Sequence, residues 1–183
     1  MAYLDLLREN PQVPTAAAIA SRAGYSTRSL FEHFSDLLAL SLAAANSVRD
    51  EILAQSIARN VDADRATRIR SQVETRSLLC DNWLALWRAL VLNQHHADEL
   101  KARIDGMRTA VIQRLKLMYR PELSTVPKAE REQFLIALES LTDMESWGRM
   151  RERHGLSIEA AQAVWIKAID RLLPPTPSTS PTP

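Results

Sequence analysis

Cysteine is nearly missing from this chain of 183 residues, where Cys80 stands alone. One thiol closes no intramolecular disulfide and builds no cysteine zinc cluster, which fits a reducing compartment. Glycine is almost as scarce, at four residues: Gly24, Gly106, Gly148 and Gly155. No glycine loop that would cradle a phosphate occurs, no nucleophile elbow, and no Glu-x-x-His pair of the kind di-iron bundles use. His95 and His96 are adjacent, so on a helix they point about 100° apart and suit no shared metal; His96 with Glu99 is only a lone pair of ligands. Also absent is any run approaching the ~18 apolar residues that span a bilayer. The opening Met-Ala-Tyr-Leu-Asp lacks the basic and then apolar layout of a secretory signal. The expectation is a soluble, cytoplasmic protein that is not an enzyme and needs no cofactor or metal.

What is present is helix-forming. Hydrophobic residues make up 46% of the chain, and 23 Lys and Arg stand against 22 Asp and Glu. That balance supports a folded core and excludes wholesale disorder. Ala, Leu, Arg and Glu dominate, and no stretch alternates with period two for long, so the fold class is all-α. Breakers divide the chain. A first helix covers roughly Ala2 to Glu9 and is closed by Pro11 and Pro14. Thr15 caps a second, Ala16 to Ala23, which stops at Gly24. Ser26 caps a third, Thr27 to Phe34, and Asp36 a fourth that runs to about Ala58. Longer helices follow: Asp62 to Leu92 with a possible break near Ser77–Asp81, Ala97 to Tyr119, Lys128 to about His154, and a last one opened by Ser157 and ended by Pro174. Residues 174–183 are only Pro, Ser and Thr, a composition that predicts a disordered tail.

The informative stretch is Thr15 to Leu40. Ile19, Ala20 and Ala23 share one helical face, Gly24 turns the chain, and Leu30 and Phe34 lie four apart on the next helix. Small Ala20 and Ala23 allow a close crossing, and a three-residue connection makes this the layout of a helix-turn-helix, whose second helix enters the major groove. Thr27, Arg28, Ser29, Glu32 and His33 point outward, with Phe31 at the margin. Arg pairs bidentately with guanine, and Ser and Thr reach bases or phosphates. The helix starts at Ala16 and Leu37 also offer N–H groups to phosphate.

The same residues resemble the DNA-binding segment of the TetR/AcrR family of bacterial transcription regulators. The match rests on Thr15, Ile19, Ala20, Ala23, Gly24, Ser26, Leu30, His33, Phe34 and Leu40, with Tyr25 and Phe31 as near substitutes. The resemblance implies an N-terminal helix-turn-helix domain over residues 1–45, a helical ligand-binding and dimerisation domain over 46–173, and a function as a ligand-responsive regulator, a repressor on palindromic operator DNA. It implies a phosphate contact for Thr15, base reading by Thr27 and Arg28, and backbone contacts for Phe31 and His33, with Ser26 beside them. Ile19, Ala20, Leu30, Phe34 and Leu40 would be core.

Departures bear on affinity. Leu37 stands where the family has Lys or Arg, and Glu32 is acidic on the face that should meet DNA. Residues 1–50 carry four arginines (8, 22, 28 and 49) against five carboxylates (5, 9, 32, 36 and 50), a net of −1. Phosphate neutralisation supplies most DNA affinity, so such a reader binds weakly and with a shallow salt slope. Either a basic piece precedes this sequence or DNA binding is attenuated, leaving a dimeric small-molecule-binding or interaction protein.

In the second half, Trp83, Trp87, Met107 and Trp147 are the candidate walls of a pocket for a small-molecule effector, with ordinary bundle core as the alternative. Ile158, Ala161, Trp165, Ala168 and Leu172 repeat at 3, 4, 3, 4, an a/d seam. Packing within the chain explains it as readily as packing on a partner. The resemblance implies a homodimer through the last two helices, so Leu138, Leu141, Ala161, Trp165 and Ala168 are the candidate interface.

Overall fold

The computed structural model describes residues 1–10, 13–94 and 98–177; His95, His96 and residues 178–183 lie outside the described residues. Every regular element among them is helical. They form α1 (Ala2–Glu9), α2 (Ala16–Ala23), α3 (Thr27–His33), α4 (Leu37–Ser47), α5 (Arg49–Gln55), α6 (Arg65–Leu92), α7 (Asp98–Met118), α8 (Arg120–Leu123), α9 (Lys128–Leu141), α10 (Met144–Gly148) and α11 (Ile158–Leu172), with a π-helical turn over Arg149–Arg153.

The chain divides into two compact units: 1–55 with 82–106, and 56–81 with 107–183. This division differs from a single cut near residue 45, because α6 and α7 each contribute to both units.

In the first unit, α1 turns Tyr3, Leu4 and Leu7 inward, and α4 supplies Leu40, Ser41 and Ala45. Tyr3 Oη and Ser41 Oγ are hydrogen-bonded at 3.0 Å, a buried link between α1 and α4. Trp83, Leu86, Ala89 and Leu90 of α6 are buried here, as are Leu100 and Ile104 of α7. Arg8 lies over the Trp83 ring at 5.6 Å, and Trp83 Nε1 donates to Gln55 Oε1 at 3.1 Å.

The second unit is built round Trp147 and Trp165, both fully buried, with ring centroids 5.0 Å apart. Ile69, Val73, Leu115, Met118, Leu138, Ala161 and Ile169 pack in the same core. Trp147 Nε1 and Arg151 Nε both donate to Asp81 Oδ1 at 3.1 Å. Cys80 lies in this core, where burial pushes its thiol up to about 11 and leaves it unreactive at neutral pH.

Three expectations are corrected. The fourth helix stops at Ser47 and restarts at Arg49. Ser47 Oγ takes the Ala44 carbonyl at 2.7 Å, and buried Val48 leaves the helical conformation at φ −109°, ψ 6°. The α6 helix instead runs unbroken for 28 residues. Ser77 does not break it, since its hydroxyl donates to Glu74 O at 3.0 Å and accepts from Gln162 Nε2 at 2.8 Å.

The helix expected from Lys128 to His154 breaks at Thr142. There the Thr142 carbonyl accepts from Arg76 Nε at 2.8 Å, while the Ser146 N–H goes to Asp143 Oδ1 at 2.5 Å. Those two bonds replace the one that would have continued the ladder. Of the predicted tail, residues 174–177 are described. Arg65 donates to the Leu173 and Pro174 carbonyls at 3.2 and 2.6 Å, and Thr176 Oγ1 donates to Glu122 Oε1 at 2.5 Å.

Candidate nucleic-acid interface

The interface is built from two short helices closed by their own side chains. Thr15 Oγ1 accepts the Ala18 N–H at 3.2 Å and starts α2. Gly24 ends it at φ +76°, a conformation that costs a side chain about 1–2 kcal/mol. The next N–H, of Tyr25, returns to Ala20 O at 2.9 Å and satisfies an end-of-helix carbonyl. Ser26 Oγ then accepts the Ser29 N–H at 3.0 Å and starts α3. Capping uses an acceptor lone pair, so the Thr15 hydroxyl keeps its proton free to donate.

Few side chains hold the two helices together. Ile19, Ala20 and Leu30 are buried and Phe34 half-buried, whereas Ala23 is exposed and takes no part in the crossing expected of it. Everything else on α3 except Ser29 faces outward. Thr27, Arg28, Phe31, Glu32 and His33 are exposed, and Tyr25 beside them is 65% exposed. An arginine, a threonine and two aromatic rings thus stand in solvent on and beside one short helix.

The electrostatics are restrained. Arg28 Nε donates to Glu32 Oε1 at 3.1 Å. Arg22 makes a two-pronged bond to Glu9 at 2.8 and 2.6 Å, and that guanidinium holds the Glu9 carboxyl below its usual range. Arg8 is 3.6 Å from Asp5. Three of the four arginines in residues 1–50 are thus already matched to carboxylates. The α4 N-terminus is also taken: Asp36 Oδ1 accepts the Ala39 N–H at 2.7 Å. That carboxylate sits where the sequence offered backbone N–H groups to a phosphate. The signal was present in the sequence, since an Asp placed to cap a helix also occupies its positive end.

The other predicted sites divide differently. Trp83 is buried and Trp87 half-buried in the first unit, whereas Met107 and Trp147 belong to the second, where Trp147 is filled core. The four do not share one unit. Of the dimer candidates, Leu138, Ala161 and Trp165 are fully covered by their own chain and have no surface left for a partner. Leu141 and Ala168 are half-buried. The α11 seam therefore packs within the chain, because the apolar stripe that reads as a partner face is the one the monomer needs for its core.

No protein-family model matches this sequence, and no curated protein matches it. Solved structures do. A transcriptional regulator from Rhodococcus sp. Rha1 superposes with a TM-score of 0.69 over 96% of each chain at 16% identity. A protein from Rhodococcus sp. assigned to the TetR family of transcriptional regulators gives 0.61 over 94% of each chain at 17% identity. The chain has a TetR-type fold. The two short helices α2 and α3, joined at Gly24, and the longer helices after them follow that all-α plan of a helix-turn-helix and a helical bundle. Among the described residues no helix is long and apolar enough to cross a membrane, and no group of three or more His, Cys, Asp or Glu could hold a metal ion.

Proposed function

We propose that the chain is a TetR-like, ligand-responsive transcriptional regulator, a cytoplasmic repressor that binds palindromic operator DNA as a homodimer. The observation that carries this reading is the outward set on α3. Thr27, Arg28, Phe31 and His33 stay exposed on a helix that only Leu30 anchors. Thr27 and Arg28 read bases, and Thr15, Phe31 and His33 hold the backbone.

The homodimer uses the outer faces of α9 and α11, which pack against each other. Ile136 is 64% and Val164 47% exposed, flanked by Gln133 and Ser140 on one helix and Ala160 and Ala163 on the other. Small residues beside two exposed β-branched ones suit a close helix-on-helix contact. A two-fold pair then presents two α3 helices to half-sites about 10 bp or a multiple apart. The small-molecule effector works by population shift, binding one arrangement of the two readers better than the other.

Selection of duplexes from a random pool at low salt tests the reading. The expected result is a palindromic consensus whose affinity falls as salt rises. An Arg28→Ala protein should then lose about 1–3 kcal/mol of discrimination at one base pair. No enrichment by folded dimer would remove the operator-binding claim.

A second reading is favoured by Glu32 on Arg28 and Asp36 at the α4 terminus: a dimeric ligand-binding protein whose reader has lost most DNA affinity. Leu37→Lys with Glu32→Gln separates the two. A large gain in affinity at low salt supports the attenuated reader, and no gain counts against it.

A further inference from the structure

In the second unit, the C-terminal end of α7, α8 and α9 converge on an open recess of about 360 Å³. Its rim carries Lys116, Arg120, Lys128 and Arg131 against a single carboxylate, Glu132, and its floor is Leu123 and Leu135. Four cations and one anion leave a net charge of +3 round a small apolar-floored hollow. These residues come from three helices and are brought together only by the fold.

A merely solvated basic face is the plain alternative, and three observations tell against it. First, the cations are poorly compensated. Among the described residues Arg120 has one ion-pair partner, Asp62, at 3.6 Å between two exposed side chains, which water screens. Among the described residues neither Lys116 nor Lys128 has a salt-bridge partner. Second, Arg131 Nε is buried without a hydrogen-bond partner, although Nη2 of the same side chain donates to Val126 O at 3.2 Å. A buried donor left unmatched is costly unless something completes it. Third, α9 opens beside the recess on Pro127, which supplies no side-chain cap, so its first-turn N–H groups add positive potential.

We infer that this recess is a binding site for a small organic anion, with a carboxylate or phosphate head on the Lys and Arg rim and an apolar body against Leu123 and Leu135. The volume falls in the range of about 300–1,000 Å³ typical of small-molecule sites. The recess and the proposed dimer face are separate. Lys128, Arg131 and Leu135 lie roughly a third of a turn round α9 from Gln133, Ile136 and Ser140. The site stands independently of operator binding, since none of its lining residues belongs to α2 or α3.

Calorimetric titration of the full chain with octyl phosphate, octanoate, octylamine and inorganic phosphate tests it. Both organic anions should bind one per chain and weaken on added salt. Both should weaken about tenfold or more in Arg120→Gln/Lys128→Gln, a pair of exposed positions whose variant should melt like the parent. Lys116→Gln should weaken them less. Absence of binding by both anions, affinity unchanged in a folded double variant, or equal binding of octylamine would each overturn the site. Inorganic phosphate binding as tightly as octyl phosphate would overturn the role of the leucine floor. Octyl phosphate preferred over octanoate would identify a phosphate head, and the reverse a carboxylate.

Discussion

The α2–α3 segment, the proposed reader, and the core of the second unit are held together in opposite ways. The reader relies on neighbours in sequence: Thr15 on Ala18, Ser26 on Ser29, and a left-handed Gly24 between them. Its own apolar contribution is little more than Ile19, Ala20 and Leu30. The second unit relies on partners far apart in sequence. Asp81 meets Trp147 and Arg151, Arg76 meets Thr142, Ser77 meets Gln162, and Arg65 clamps the segment after α11. The contrast follows from what each part presents. The α2–α3 pair leaves most of its side chains in solvent, so caps and turns do the holding. A bundle can bury nearly everything it has.

That comparison ranks the effects of mutation. Trp147→Ala should be the most damaging change, costing about 3–5 kcal/mol through the cavity beside Trp165 and the loss of the bond to Asp81. Chemical denaturation would show it, and a cost below 1 kcal/mol would mean that the bundle core is not what holds this unit.

Glu122→Gln comes close behind. Arg68 and Glu122 form a direct pair, with Arg68 2% and Glu122 0% exposed. Removing one charge strands the other in the interior, at about 3–5 kcal/mol. Arg68→Met with Glu122→Leu should recover much of that loss, because the desolvation penalty goes with both charges. Failure of the double change to recover would give the pair a positioning role for Thr176, whose hydroxyl it holds.

Gly24→Ala tests the local side. Nothing lies within 4 Å of the added methyl, so the cost is conformational only, about 1–2 kcal/mol from φ +76°. The loss should appear as increased hydrogen exchange confined to α2 and α3. A global loss of protection instead would couple the reader to the rest more tightly than its contacts indicate.

The smallest effect is at Glu9. Arg22 lowers the folded-state pKa of Glu9 below 4.5, so its contribution is fully present above that pH and fades as the pH falls through the folded value. Glu9→Gln and the parent should therefore differ slightly at neutral pH and converge in acid. A gap that persists in acid would assign the effect to packing.

Much of the reader was legible in the sequence because its determinants are local. Thr15, Gly24, Ser26 and Asp36 each act within four residues of where they stand, and all four act as helix-end residues in the structure. The outward set on α3 followed from the same periodicity. The dimer and pocket candidates were not legible in this way. Trp165 and Ala161 form an apolar stripe, and a stripe says only that something covers it. Here the covering is the chain's own core. Trp83 and Trp147 look alike as large apolar residues, yet they lie in different units.

The sequence alone determined the helical class and the ends of the first three helices, because caps, left-handed glycine and helical periodicity are short-range physics. Only the tertiary structure decided where the longer helices break or run on. Thr142 ends α9 because Arg76, 66 residues away, takes its carbonyl, and α6 continues past Ser77 because Gln162 completes that hydroxyl. It also decided that Lys116, Arg120, Lys128 and Arg131 face one recess and that Thr176 is held by Glu122. Each of these outcomes depends on a partner brought near by packing, and no local pattern encodes the approach of a distant side chain.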